Sequence, residues 1–173
     1  MFNRLNASLL AGLVAILVNT AALKLADAIG LATAHGGLLR LIGPWIGTPL
    51  GWLGVSNLWR SMGGPPASSA AFQTGFHIVV GLAMGVFYAF AIDPIRRGKA
   101  LLKGLLYAAA VWCLNAAVVL PLTGEGFAGA RHLSVAGMVW FGAAHTLFFV
   151  VLALLHEKLR PAPRFLPQPM YHP

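Results

Sequence analysis

Four stretches of this chain run for about twenty residues with almost no charge, and a helix that crosses the hydrocarbon of a bilayer needs roughly that many apolar residues. They extend from about Asn6 to Ile29, Phe72 to Ile92, Lys103 to Leu120 and Val135 to His156. Only 9% of the residues are charged and 58% are apolar, whereas a soluble domain is about one quarter charged. A soluble fold of this size could not hide so much apolar surface, and a helix facing lipid does not need to. The expected fold class is therefore all-α: an integral membrane four-helix bundle forming a single transmembrane domain over residues 1–173.

Between the first two spans lies a segment, about 31–62, with a further uncharged run from Leu41 to Trp59. Pro44 and Pro49 lack backbone donors, and Gly43, Gly47, Gly51 and Gly54 loosen the chain. Unsatisfied backbone groups are too costly in lipid unless protein or water covers them. A broken interfacial or re-entrant element is expected there rather than a fifth span. Trp45, Trp52 and Trp59 recur every seven residues, which predicts a drifting stripe at the membrane–water interface, where tryptophan is enriched. Gly63, Gly64, Pro65 and Pro66 read as a linker. The proline-rich tail, 161–173, is expected to be extended and cytoplasmic.

Charge placement predicts orientation. With four spans, one side holds Arg4, Arg96, Arg97, Lys99, Lys103, Lys158, Arg160 and Arg164 and the other Lys24, Arg40, Arg60 and Arg131. This imbalance places both termini in the cytoplasm, with Arg96 and Arg97 at the interface. A five-span arrangement does equally well on charge alone, and the proline and glycine content favours four. Ala26-Asp27-Ala28 resembles a signal cleavage pattern, but the apolar stretch before it is long and Lys24 crowds it. The net charge of +8 sits between apolar runs rather than on a basic patch interleaved with aromatics, which argues against nucleic acid and for anionic lipid headgroups. The single Cys113 excludes an intrachain disulfide.

Gly81 and Gly85 form a GxxxG pair in the second span, in helical register with His77 and Tyr88. Small residues let helix backbones approach closely in lipid. Gly104 and Ala108 of the third span, and Gly142 with Thr146 of the fourth, are candidates to meet that face. The pattern His77-x-x-x-Gly81-x-x-x-Gly85-x-x-Tyr88, with the four-span arrangement, resembles the YagU-like small bacterial inner-membrane proteins. The resemblance implies a bacterial inner-membrane location and this fold, and no activity.

Each span also carries a polar residue: Asn19, His77, Asn115 and His145. At about 1.5 Å rise per residue all four fall in the outer half of the bundle, with His145 and Asn19 nearest the middle. Polar groups inside a membrane are functional candidates because burying them costs free energy. If they only fix helix register, side chains should fill the space between them, and the protein is then a non-enzymatic accessory or membrane-organising subunit that meets other subunits or its own copies. If they hold a ligand, as in a small binding or transport module, a cavity should lie near His77, Asn115 and His145. A weaker alternative has His77 and His145 ligating one haem in an electron-transfer protein; otherwise no cofactor or metal site is expected. Lys24 and Asp27 read as a local pair. His156 reads as an interface marker. Glu125 with Arg131 and His132 is the nearest approach to a catalytic cluster, and no nucleotide-binding, metalloprotease or serine-hydrolase motif occurs; an enzyme is not expected.

Overall fold

The computed structural model describes residues 3–33, 37–95 and 98–161. Six helices longer than one turn lie among these residues: α1 (Arg4–Ala28), α2 (Gly37–Trp52), α3 (Val55–Ser61), α4 (Ala70–Ile92, continued by the turn Asp93–Ile95), α5 (Ala100–Leu122) and α6 (Val135–Leu159). α1, α4, α5 and α6 are long and apolar enough to cross a membrane, so the chain is a multi-pass membrane protein built as a four-helix bundle. Arg96, Arg97 and tail residues 162–173 lie outside the described residues.

Local chemistry starts three of the four long helices. The side chains of Asn3, Ser69 and Ser134 accept hydrogen bonds from the backbone N–H groups of Asn6, Phe72 and Gly137 at 2.7, 3.2 and 3.1 Å. These satisfy donors that the first helical turn leaves unpaired. The far ends of α4 and α5 share another device. Each widens into a π turn, Tyr88–Ile92 and Asn115–Val119, two residues ahead of Pro94 and Pro121. A proline ring clashes with the carbonyl four residues back, and the wider turn relieves that crowding while its last N–H bonds the carbonyl five back.

The segment between α1 and α4 differs in detail from the sequence expectation. Pro44 and Pro49 lie within α2 and do not break it. The break falls at Gly54, whose φ of 72° is a left-handed conformation that glycine adopts without steric cost. Trp45 and Trp52 therefore belong to α2 and Trp59 to α3, so the three do not share one helical stripe. Trp52 is 87% exposed. The Trp59 indole donates to the Pro65 carbonyl at 2.9 Å and its ring meets Phe72 edge-on at 6.1 Å, folding α3 back on the start of α4.

Close backbone approach decides which spans are neighbours. A Cβ on Gly81 would lie 2.5 Å from Ile16, and one on Gly85 would lie 2.9 Å from the Ser8 carbonyl oxygen and 3.2 Å from Gly12 Cα. The GxxxG face thus packs on Ser8 and Gly12 of α1, rather than on the third or fourth span. Gly104 approaches α6 instead: its Cβ would lie 2.8 Å from the Phe149 oxygen and 3.0 Å from Ala153. Ala108 is buried in the same core as Phe149 and Ala153. A Cβ on Gly142 would make only an ordinary 3.6 Å contact with Trp112. The spans consequently stand in the order α4, α1, α6, α5, with α1 packed on α4 and α6, and α5 packed on α6.

α4 and α5, although consecutive in the chain, are pinned together at the end carrying Asp93. There the Tyr107 hydroxyl bonds the Met84 sulfur at 3.0 Å, and the Tyr107 ring lies 5.9 and 6.2 Å from the rings of Phe87 and Tyr88. Toward the Glu125 end the two helices have no comparable packing.

Candidate functional site: a polar cavity within the bundle

The space left by this packing is a cavity of about 320 Å³. All four span helices line it, and Leu38 and Leu39 of α2 close over it. Asn19, His77, Asn115 and His145, the polar residues singled out from the sequence one per span, all line this cavity.

Their hydrogen bonds are unequal. The Asn19 side-chain amide donates to the Ala144 carbonyl at 2.9 Å, joining α1 to α6. That bond fixes the amide's orientation and leaves its oxygen to accept from His77 Nε2–H, also at 2.9 Å. Asn19 therefore stands beside Ala144, the neighbour of His145, as depth counting placed it, and reaches His77 as well. His145 Nδ1–H donates to the Phe141 carbonyl of its own helix at 2.9 Å. A neutral imidazole that donates through one nitrogen accepts through the other, so His77 Nδ1 and His145 Nε2 remain as acceptors. Asn115 begins the π turn of α5, and its amide makes no hydrogen bond among the described residues. Single π turns in α-helices occur frequently at functional sites.

Polarity is graded along the cavity. Lys24, Asp27, Gln73 and Thr74 lie at its Glu125 end, and Met84, Phe148 and Phe149 form the opposite end. Lys24 and Asp27 pair at 3.5 Å.

Two ionic clusters bracket the bundle; the sequence reading grouped Glu125 with His132 in one of them and did not assemble the other. At one end the buried Asp93 accepts from Lys103 Nζ at 2.5 Å and Arg160 at 2.7 Å, with Arg4 at 3.4 Å. Lys103 Nζ also donates to the Asp93 carbonyl at 3.0 Å. Burial opposes the charge on Asp93, but Lys103 and Arg160 outweigh it and hold the carboxyl below its ordinary range. His156 is fully buried within the protein; it meets Tyr88 edge-on at 5.6 Å, and its Nε2 lies 3.9 Å from Asp93. Neither of its ring nitrogens has a hydrogen-bond partner among the described residues. Counted along the chain, these cations were indistinguishable from those that set topology. One buried acid at a helix end facing an excess of bases was the signal available.

At the other end Glu125 accepts from Arg40 and from His132 Nδ1, the latter at 2.7 Å. Arg131 lies beside Glu125, its backbone N–H donating to the Glu125 carbonyl at 3.0 Å, while its side chain reaches the Gly124 carbonyl at 3.4 Å. The Arg40–Glu125 pair ties α2 to the loop between α5 and α6. Burial opposes ionisation of Glu125, yet Arg40 and His132 hold its pKa below the ordinary range. A depressed folded pKa contributes stability that is complete above the unfolded value of about 4.3 and is lost as pH falls through the folded value. Acidification below pH ~4 should therefore release α2. A spin label on Trp52→Cys, in a Cys113→Ala background, should gain mobility over that range, while the same label with Glu125→Gln should be mobile at every pH.

Fold and site together define a small four-span membrane bundle with a cavity among its helices that is polar at one end and apolar at the other. Comparison with family models, curated proteins and solved structures finds no match.

Proposed function

We propose that this protein is a small ligand-binding or transport module of a bacterial inner membrane, with both termini cytoplasmic and the cavity in the outer half. One observation carries this reading: a polar residue from each of four spans lines a single cavity of about 320 Å³, within the usual size range for small-molecule sites. Were these residues present only to fix helix register, side chains would be expected to fill the space they share. Among the described residues, Asn19 alone of the four bridges helices through a backbone carbonyl and a second side chain, and Asn115 makes no such bridge. The inner end, formed by Met84, Phe148 and Phe149, supports access from elsewhere.

Native mass spectrometry of the protein gently extracted from its own membrane tests the proposal. A reproducible small bound mass is expected on the wild type, and Asn115→Phe, which fills the cavity, should abolish it with helicity unchanged. A wild-type bundle free of small ligand but carrying a stoichiometric partner protein would replace this reading with that of an accessory subunit.

A further inference from the structure

The geometry points to the class of ligand and to its route, an inference that rests on the ligand-binding reading above. We propose that the cavity takes an uncharged amphiphile bearing a hydroxyl group, directly from the bilayer, through the gap between α4 and α5.

The route follows from the packing order. α4 and α5 terminate the row of spans, and the contacts that join them, Tyr107 with Met84, Phe87 and Tyr88 and Lys103 with Asp93, lie at one end. Above that pin the cavity separates them, with Val80 on one wall and Leu114 and Asn115 on the other. The flanks of the gap suit lipid: Val79 is 62% and Leu114 55% exposed. Leu38 and Leu39 of α2, held by Arg40 on Glu125, line the Glu125 end together with the exposed polar residues Lys24, Asp27, Gln73 and Thr74. An apolar molecule thus meets apolar residues at the α4–α5 side and polar ones at the Glu125 end.

The chemistry follows from the hydrogen bonds. At the level of the histidines the cavity offers two acceptors, His77 Nδ1 and His145 Nε2, and the unengaged amide of Asn115. That set complements a hydroxyl donor. Lys24 and Asp27 pair at the Glu125 end, and no other charged side chain lines the cavity among the described residues, so a carboxylate or ammonium at the level of the histidines would lack a counter-charge, which is costly in an apolar medium. The aromatic end formed by Phe148 and Phe149 suits an apolar body.

Dodecanol titrated into the protein in phosphatidylcholine nanodiscs, read by native mass spectrometry of the ejected complex, tests both parts. Dodecanol should bind one per chain, its methyl ether at least tenfold more weakly, and dodecylammonium and dodecanoate not measurably. The ether comparison uses only wild-type protein, so it does not depend on whether a histidine variant folds. His77→Leu and His145→Leu should each weaken dodecanol at least tenfold. Leu114→Trp, on the exposed flank of the gap, should slow uptake at least tenfold with the fold intact. Equal binding of alcohol and ether, or preference for a charged analogue, would overturn the ligand class. Uptake unaffected by Leu114→Trp would overturn the lateral route. A native water-soluble mass in the cavity, with no amphiphile bound, would overturn this inference while leaving the ligand-binding reading intact. A bundle with no native mass and no amphiphile bound would remove both.

Discussion

Asp93→Asn is expected to destabilise the bundle by about 3–5 kcal/mol, the range for deleting one partner of a buried ion pair. Asp93 and Lys103 expose only 6% and 7% of their side chains, so water cannot readily replace the lost charge. The substitution keeps the shape and leaves Lys103 facing Arg4 and Arg160 with no anion between them. Because Asp93 touches residues of α1, α5 and α6 from the end of α4, the loss should loosen all four spans together. Arg4→Ala and Arg160→Ala should cost far less, about 1 kcal/mol or below, since those side chains are 40% and 37% exposed and solvent screens such pairs. Lys103→Met combined with Asp93→Asn should be milder than the sum of the two single changes, because the double variant buries no unpaired charge. Unfolding in mixed micelles of rising SDS fraction measures each. A loss under 1 kcal/mol for Asp93→Asn would mean that the carboxylate does not tie the helices together.

Gly85→Val should be comparably severe, on the order of 3 kcal/mol or more, at the upper end of overpacking costs. Its Cβ would meet the Ser8 oxygen at 2.9 Å and Gly12 Cα at 3.2 Å. Both are backbone atoms of α1, which cannot rotate aside as a side chain can, so α1 and α4 would have to separate. In lipid nothing but close packing and interhelical hydrogen bonding holds them. Gly142→Ala is the control: its Cβ finds an ordinary 3.6 Å contact with the Trp112 ring, and stability should stay within about 0.5 kcal/mol of the wild type. The same SDS titration compares the two. If Gly85→Val behaved as Gly142→Ala does, the α1–α4 contact would not be the close one described above.

The limits of the four spans were legible in the residues, because the cost of placing a residue in hydrocarbon depends on that residue and its immediate neighbours. Ile92 and Leu120 were expected as span ends; the structure places π turns at Tyr88–Ile92 and Asn115–Val119 and carries a further helical turn past each, to Ile95 and Leu122. Asn19, His77, Asn115 and His145 stood out for the same local reason: each is polar where lipid disfavours polarity. Which helix meets which was not legible. Gly81 and Gly85 announced a close contact but not its partner, and Ser8 and Gly12 carried as good a signal as Gly104 and Ala108. Lipid-facing and helix-facing surfaces are both apolar, so periodicity does not separate them, and the fit of one backbone against another selects the pair.

The sequence by itself determined the class of protein, the number of spans and the polar residues they carry, since all three follow from one-residue transfer costs summed along a helix. The order α4, α1, α6, α5, the gap it leaves, the cavity in that gap and the gathering of Arg4, Lys103, His156 and Arg160 around Asp93 depend on contacts between residues as far apart as Arg4 and Asp93. Those contacts exist only once steric fit between whole helices has chosen their neighbours.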